Sequence, residues 1–318
     1  MSPPADTLTR FEGTSTIRSD GRPLGDLRAE LYRIDDLANA GHVAGLWLQS
    51  VGVILLASWW NRPLGWVLAF LLMGRAMVRF AILMHEAAHR LLFSDRQVND
   101  WVGRWLVAYP AFVPVEAYRR GHMAHHREEF GADEPDLAYY SGYPVAPASW
   151  RRKLTRDALG SSGWKNLRQL VAAVRVPIAR PVVLRILAVQ VALFAGLWFA
   201  TGRWWVWPLL WLAPWMTVWR VLNRLRAVAE HGGLGPSFDR RATTHHVRQG
   251  PLSRSVLVPF NTGHHLAHHV DIGVPFANLP RFQDELERAG YLTSGLEWPS
   301  YLSLWRHARS GSPTGRPA

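Results

Sequence analysis

Apolar residues in this chain are gathered into blocks, and charged residues fill the stretches between them. Block one runs from about His42 to Trp60, block two from about Pro63 to Met84, block three from about Arg185 to Thr201, and block four from about Trp204 to Val221. A membrane-spanning helix takes roughly 20 residues, with about 17–25 tolerated. Blocks three and four are at the short end, where buried helices of a soluble protein compete. The tight pairing of the blocks favours spans. Only Asn61 and Arg62 separate blocks one and two, and only Gly202 and Arg203 separate blocks three and four. Each pair therefore reads as a hairpin with a minimal turn. The expected fold is an all-α integral membrane protein with four transmembrane helices in two hairpins.

The long connections, residues 1–41, 90–184 and 223–318, fall on the side opposite those turns and carry most of the Arg. The positive-inside rule makes that side cytoplasmic, with both termini there. Trp59, Trp60, Trp204 and Trp205 stand at block ends, as an aromatic belt does. A fifth apolar stretch, Val98 to Val115, is interrupted by Arg104, Pro110 and Pro114, and reads as interfacial or re-entrant. Residues 1–36 are polar and lack a cleavable signal pattern. The tail from about Ser310 is disordered by composition. Arg75 and Arg79 lie inside block two, one helical turn apart. They snorkel towards the cytoplasmic face or anchor an acyl carboxylate or lipid phosphate.

Composition changes this picture in two ways. The net charge of +12 is almost all Arg. In a soluble protein it would point to nucleic acid. Here the Arg flank the apolar blocks, so the reading is a face against anionic lipid, with no nucleic-acid partner. There is no cysteine. Disulfides, thiolate-bound zinc, Fe–S clusters and a catalytic thiol are therefore excluded.

The chain has 14 histidines, and they cluster. His85 and His89 form H-E-A-A-H at the cytoplasmic end of block two. His122, His125 and His126 form H-M-A-H-H, and His265, His268 and His269 form H-L-A-H-H. His231 follows block four in A-E-H-G-G. Spacings of three and four residues put each cluster on one helix face. Nine imidazoles exceed what one ion uses, whereas two ions with open positions can use them. Neutral imidazole suits Fe, Zn, Cu and Ni. Redox metals with open positions suit O2 activation, which zinc does not support. His42, His245, His246 and His307 lie outside the clusters and read as surface or interfacial. His264 would point about 100° away from His265 on a helix and reads as core or support.

Two other classes compete. His85-Glu86-Ala87-Ala88-His89 is literally H-E-x-x-H, the zinc protease pattern with Glu86 as base. One zinc would leave most of the other histidines unexplained. A metal transporter predicts polar residues inside the spans. Blocks one and four hold almost none beyond Gln49 and Thr217.

The histidine motifs resemble those of the membrane fatty-acid desaturase and hydroxylase superfamily. HMAHHREEFGADEPDLAYY is similar to the stretch after the second box of sphingolipid desaturases and their bacterial relatives. N-T-G-H-H-L-A-H-H with VDIGVPFANLP resembles the third box and its Pro-x-x-x-Leu-Pro ending. The resemblance covers about Leu64 to Arg281. It implies a cytosolic helical cap that holds a di-iron site over the four membrane helices. It implies a histidine-box domain over residues 42–281, flanked by cytosolic segments 1–41 and 282–318. The implied iron ligands are His85, His89, His122, His125, His126, His231, His265, His268 and His269, with Asn261 supporting the site directly or through water. Glu230, Glu86, Asp133 and Asp136 are candidates to orient the imidazoles. His264 stands where the family usually has Tyr, and Leu266 and Ala267 where a Glu commonly precedes the His pair. These departures bear on acyl specificity.

The implied reaction is O2-dependent oxidation of a fatty-acyl or lipid chain, foremost desaturation. Hydroxylation and oxidative decarboxylation are alternatives on the same site. Electrons come from outside the chain. A ferredoxin, a rubredoxin, or cytochrome b5 with its reductase is implied.

Overall fold

The structure is a computed structural model that describes residues 8–131 and 134–311. The helices in chain order are α1 (Gly25–Leu31), α2 (Asp36–Trp60), α3 (Pro63–His89), α4 (Arg96–Val102), α5 (Val115–Arg127), α6 (Leu137–Tyr140), α7 (Pro147–Ala158) and α8 (Ser161–Ala172). They continue with α9 (Arg180–Thr201), α10 (Ala213–Met216), α11 (Val218–His231), α12 (Arg240–Thr243), α13 (Pro251–Val256), α14 (His265–Val270), α15 (Leu279–Arg288) and α16 (Tyr301–Ala308). The fold is overwhelmingly helical. Among the described residues the strand content is one parallel pair, β1 (His246–Val247) with β2 (Glu297–Trp298). The chain divides into two compact units, one from the described parts of Met1–Ile34, Arg119–Arg151 and Arg224–Ala318, the other from Asp35–Tyr118 and Arg152–Asn223.

The second unit holds the long helices. Among the described residues, three stretches are long and apolar enough to cross a membrane: Gly25–Trp60, Pro63–His89 and Arg180–Thr201. The Asp35 carboxylate accepts the Ala38 N–H at 2.9 Å and starts α2. Asn61, left-handed at φ 45°, ends it, and Pro63 opens α3 at a position where no N–H is needed. This makes the two-residue turn of the first hairpin. Both helices are longer than the apolar pattern indicated: α2 begins at Asp36 and α3 continues to His89. His85 and His89 therefore sit on the last turns of a continuous helix.

The fourth apolar block differs from its expectation as one span from Trp204 to Val221. It is broken into a π-helix at Pro208–Leu212, then α10, then α11. Pro208 and Pro214 each remove an N–H, and Thr217 leaves helical geometry at φ −120°, ψ −82°. The stretch from Val98 to Val115 contains the end of α4, a π-helix at Gly103–Ala108 and a turn, with no continuous helix of membrane-crossing length. Irregular backbone among apolar helices needs partners for its carbonyls. Trp47 Nε1 donates to Leu106 O at 2.8 Å, Gln190 Nε2 to Tyr109 O at 2.7 Å, and Trp211 Nε1 to Pro110 O at 2.9 Å. Close approach uses glycine: a Cβ at Gly74 would lie 2.3 Å from Val218 Cγ1, and one at Gly163 2.4 Å from Met216 O.

The other unit is built from short helices around Leu266, Ala267, Phe282 and Leu286, all essentially inaccessible. The N-terminal stretch is fastened to it: Tyr32 donates to the Asp271 carboxylate at 2.8 Å, and Asn278 Nδ2 donates to Leu31 O at 2.9 Å. Residues from 282 onward, expected as a flanking segment, are part of this core through Leu286, Trp298 and Leu304. Of the tail expected to be disordered, Ser310 and Gly311 are described and 312–318 lie outside the described residues.

Candidate metal centre

Seven of the clustered histidines belong to the short-helix unit. α5 carries His122, His125 and His126, α11 ends at His231, and α14 carries His265, His268 and His269. All but His265 are buried, and the His265 side chain is only 11% exposed. The i, i+3, i+4 spacing puts the rings of each helix on one side, and the fold turns those sides together.

Two groups result. In the first, His126 Nε2 lies 3.0 Å from His122 Nε2 and 3.1 Å from His268 Nε2. In the second, His125, His231 and His269 bring ligating atoms within 4.8 Å of one another, and His231 Nε2 is 3.1 Å from His265 Nε2. Two nitrogens bound at about 2.0–2.1 Å to one ion at a right angle sit about 3 Å apart. The nitrogen spacing in both groups is therefore that of neighbouring ligands.

Partners on the far side of each ring support this reading. The Glu134 carboxylate accepts from His125 Nδ1, and Glu129 accepts from His269 Nδ1. Thr243 O accepts from His231 Nδ1 at 2.8 Å. Each acceptor fixes the proton on Nδ1 and leaves the Nε2 lone pair for a metal. His269 Nε2 is buried with no hydrogen-bond partner among the described residues. A buried nitrogen so placed fits a ligand position. The carboxylates are held in turn: Tyr140 donates to Glu134, and Arg240 pairs with Glu129 at 2.5 Å while donating to His126 O at 2.7 Å.

Electrostatics divide the rings. Burial, reinforced by neighbouring rings, pushes the pKa of His265 and His269 well below the ordinary imidazole value, and His231 is lowered for the same reasons. Neutral imidazole is the ligating form. Burial also opposes charge on His125, but Glu134 outweighs it and raises that pKa.

His85 and His89 occupy the end of α3 in the long-helix unit, with ring centroids 4.6 Å apart, and Glu86 between them is buried. Glu230 pairs with Arg226 at 2.8 Å, and its carboxylate is 3.9 Å from His265 Nδ1. Asp136 is held above the usual carboxyl pKa, chiefly by burial. Asp133 lies outside the described residues. Asn261 Nδ2 donates to Phe276 O at 3.3 Å, and its backbone carbonyl accepts the His264 N–H at 3.0 Å. His264 meets Gln283 at 2.6 Å.

Two histidines depart from expectation. His245 and His246, expected at the surface, are buried. His245 Nε2 donates to Gly232 O at 2.9 Å and its Nδ1 accepts from Trp298 Nε1 at 3.1 Å, so it braces the residue after His231. Glu129, Glu134 and Tyr140 were missed among the supporting residues. Glu129 and Glu134 stand close behind the second box in sequence, a weak signal. Nothing local pairs Glu129 with His269, 140 residues away.

Comparison with known proteins agrees with this chemistry. The model of the family described as fatty acid desaturase matches residues 41–301. The dihydrorhizobitoxine desaturase of Bradyrhizobium elkanii is 26% identical over 313 residues, covering 91% of this chain and 86% of that protein. A chloroplastic omega-6 fatty acid desaturase of Arabidopsis thaliana is 25% identical over 88% of this chain and 65% of its own length. The sn-1 oleoyl-lipid 12-desaturase of Anabaena variabilis is 31% identical over 97 residues, 30% of this chain and 26% of that protein. A match of this extent leaves little of the chain outside it: the protein is an oxidoreductase that belongs to the fatty acid desaturase family.

Proposed function

We propose that this protein is an O2-dependent di-iron desaturase that introduces a double bond into a fatty-acyl or lipid chain. The observation that carries the reading is the pair of Nε2 groupings at 3.0–3.1 Å, with Nδ1 of His125, His231 and His269 anchored behind. His122, His125, His126, His231, His265, His268 and His269 are the proposed ligands in the short-helix unit. His85 and His89 join the set through the motif they form. Bound iron with O2 and externally supplied electrons would provide an oxidant able to break an unactivated C–H bond. The chain's own residues would orient the rings: burial favours the neutral form of His231, His265 and His269, and Glu129, Glu134 and Thr243 keep the proton on Nδ1 of His269, His125 and His231.

Desaturation leads over hydroxylation or decarboxylation because each relative named above is a desaturase. The family assignment sets aside the peptidase and transporter readings of the histidines. The membrane topology goes with this proposal: two hairpins, the broken segment from Trp204 serving as the fourth crossing, and a cytoplasmic cap holding the site. The electron donor is a ferredoxin, a rubredoxin, or cytochrome b5 with its reductase.

The test is a metal count on protein purified anaerobically in detergent, with gas chromatography of host lipids. About two irons per chain are expected from the size of the donor set, with a new unsaturated product that disappears in His268→Ala. One zinc and no iron, persisting after iron reconstitution, would overturn the reading.

A further inference from the structure

Between Asp157 and Glu230 the chain has no acidic residue. The first part of that run, in the long-helix unit, is α8, a 3-10 turn at Ala173–Arg175 and the loop into α9. Gly163 turns α8 towards α10, where a Cβ would lie 2.4 Å from Met216 O. Trp164, Arg168 and Val171 recur at i, i+4 and i+7 and therefore share a face. All three are exposed, and Lys165 beside them is too. The loop continues this surface, with Arg175, Val176 and Ile178 exposed. Arg180 Nε donates to Val174 O at 3.0 Å, which ties the loop to the first turn of α9.

Large apolar side chains point outward along this stretch: Trp164 is 54% exposed, Val171 44%, Val176 47% and Ile178 90%. Exposed apolar groups gathered in one place mark an interaction surface. Lys165, Arg168, Arg175 and Arg180 are interleaved with them, so the complementary surface is apolar and negatively charged at once. An anionic bilayer surface offers both everywhere, phosphates above acyl chains. Cations together with Trp and aliphatic residues are the composition of a helix that lies in the membrane interface. The long cationic side chains reach the phosphates while their apolar neighbours enter the acyl boundary. Position agrees with this. α9, which starts at Arg180, is long and apolar enough to cross a membrane, so the stretch lies where a crossing helix enters.

We propose that residues 164–180 form a membrane-surface element that lies in an anionic leaflet, with Trp164, Val171, Val176 and Ile178 entering the acyl boundary and Lys165, Arg168, Arg175 and Arg180 meeting lipid phosphates. Each cation close to an anionic surface strengthens the association, and salt screens it. The element rests on α9 crossing the membrane, part of the reading above, and is independent of the metal centre.

Spin labels on the full-length protein test it, because a chain without cysteine accepts a single one at a chosen place. Val171→Cys, Ile178→Cys and, midway along α9, Val191→Cys put labels at outward positions. Electron paramagnetic resonance in nanodiscs compares exposure of each label to oxygen and to a neutral, water-soluble nickel chelate. The nanodiscs are phosphatidylcholine, or an equal mixture with phosphatidylglycerol. At the Val171 and Ile178 sites the oxygen-to-chelate ratio should be several-fold higher in the mixed discs. Lys165→Gln, Arg168→Gln and Arg175→Gln together should abolish that difference. Water-like ratios at both sites in mixed discs, with the Val191 site in lipid, overturn the surface element alone. A water-like Val191 site overturns the crossing on which it rests. Equal ratios in the two compositions overturn the role of the cations. Shielding at the Val171 site that appears only on adding an acidic ferredoxin makes this a protein-docking face and overturns the lipid.

Discussion

Glu129 and His269 are 140 residues apart in the chain, and the Glu129 carboxylate accepts a hydrogen bond from His269 Nδ1. Arg240 pairs with the same buried carboxylate at 2.5 Å. The arrangement makes the orientation of His269, a candidate metal ligand, dependent on the carboxylate behind its ring. Glu129→Gln preserves size but weakens the acceptor. It should reduce metal affinity about 10–100-fold with little change in fold. Metal content after dialysis against a chelator, read beside circular dichroism, measures this. Wild-type metal retention would remove Glu129 from its positioning role.

Tyr140 acts one step further out. It donates to Glu134, which accepts from His125 Nδ1. Tyr140→Phe deletes one donor and leaves the carboxylate–imidazole bond. Its effect on activity should therefore be smaller than that of Glu134→Gln, which breaks that bond. The ordering of the two variants in turnover is the measurement, and a reversed ordering would show that Tyr140 acts by another route.

His245 gives a pH dependence. Burial lowers its pKa from 6.5 to about 3. Between those values the unfolded chain binds a proton that the folded one refuses. Its stabilising contribution is therefore complete above about pH 6.5 and lost as pH falls towards 3, by up to about 1.4 kcal/mol per pH unit. His245→Gln cannot titrate. Its melting temperature should fall less steeply than that of the wild type between pH 6.5 and 4.5. Parallel slopes would contradict the assignment.

Glycine contacts make the packing testable. A Cβ at Gly163 would meet Met216 O at 2.4 Å and Met216 Cα at 2.5 Å, backbone atoms that cannot rotate away. Gly163→Ala should destabilise the protein by about 1–3 kcal/mol. Gly45 in α2 has nothing within 4 Å of that position. Gly45→Ala should be neutral or stabilising by up to about 1 kcal/mol through helix propensity. Thermal unfolding of both variants in one detergent provides the comparison.

Local pattern carried the elements whose cause is local. The apolar run and Pro63 mark the first hairpin, and the histidine spacings mark helix faces because three and four residues make a turn. The apolar pattern failed at Trp204–Val221. Hydropathy registers apolarity, while Pro208, Pro214 and the geometry at Thr217 decide whether the helix continues. It failed also at His245, whose neighbours Gly232 and Trp298 are 13 and 53 residues away.

The sequence by itself determined that this chain has membrane-length apolar helices, paired histidines of metal-binding spacing, no thiol chemistry and a family resemblance. Periodicity and composition are properties of neighbours along the chain, and so they can be read there. Only the tertiary structure decided which nitrogens face one another at 3 Å, which carboxylate orients which ring, and that Arg75 and Arg79 both donate to Gln49. Those are distances between residues far apart in sequence, set by how helix faces pack.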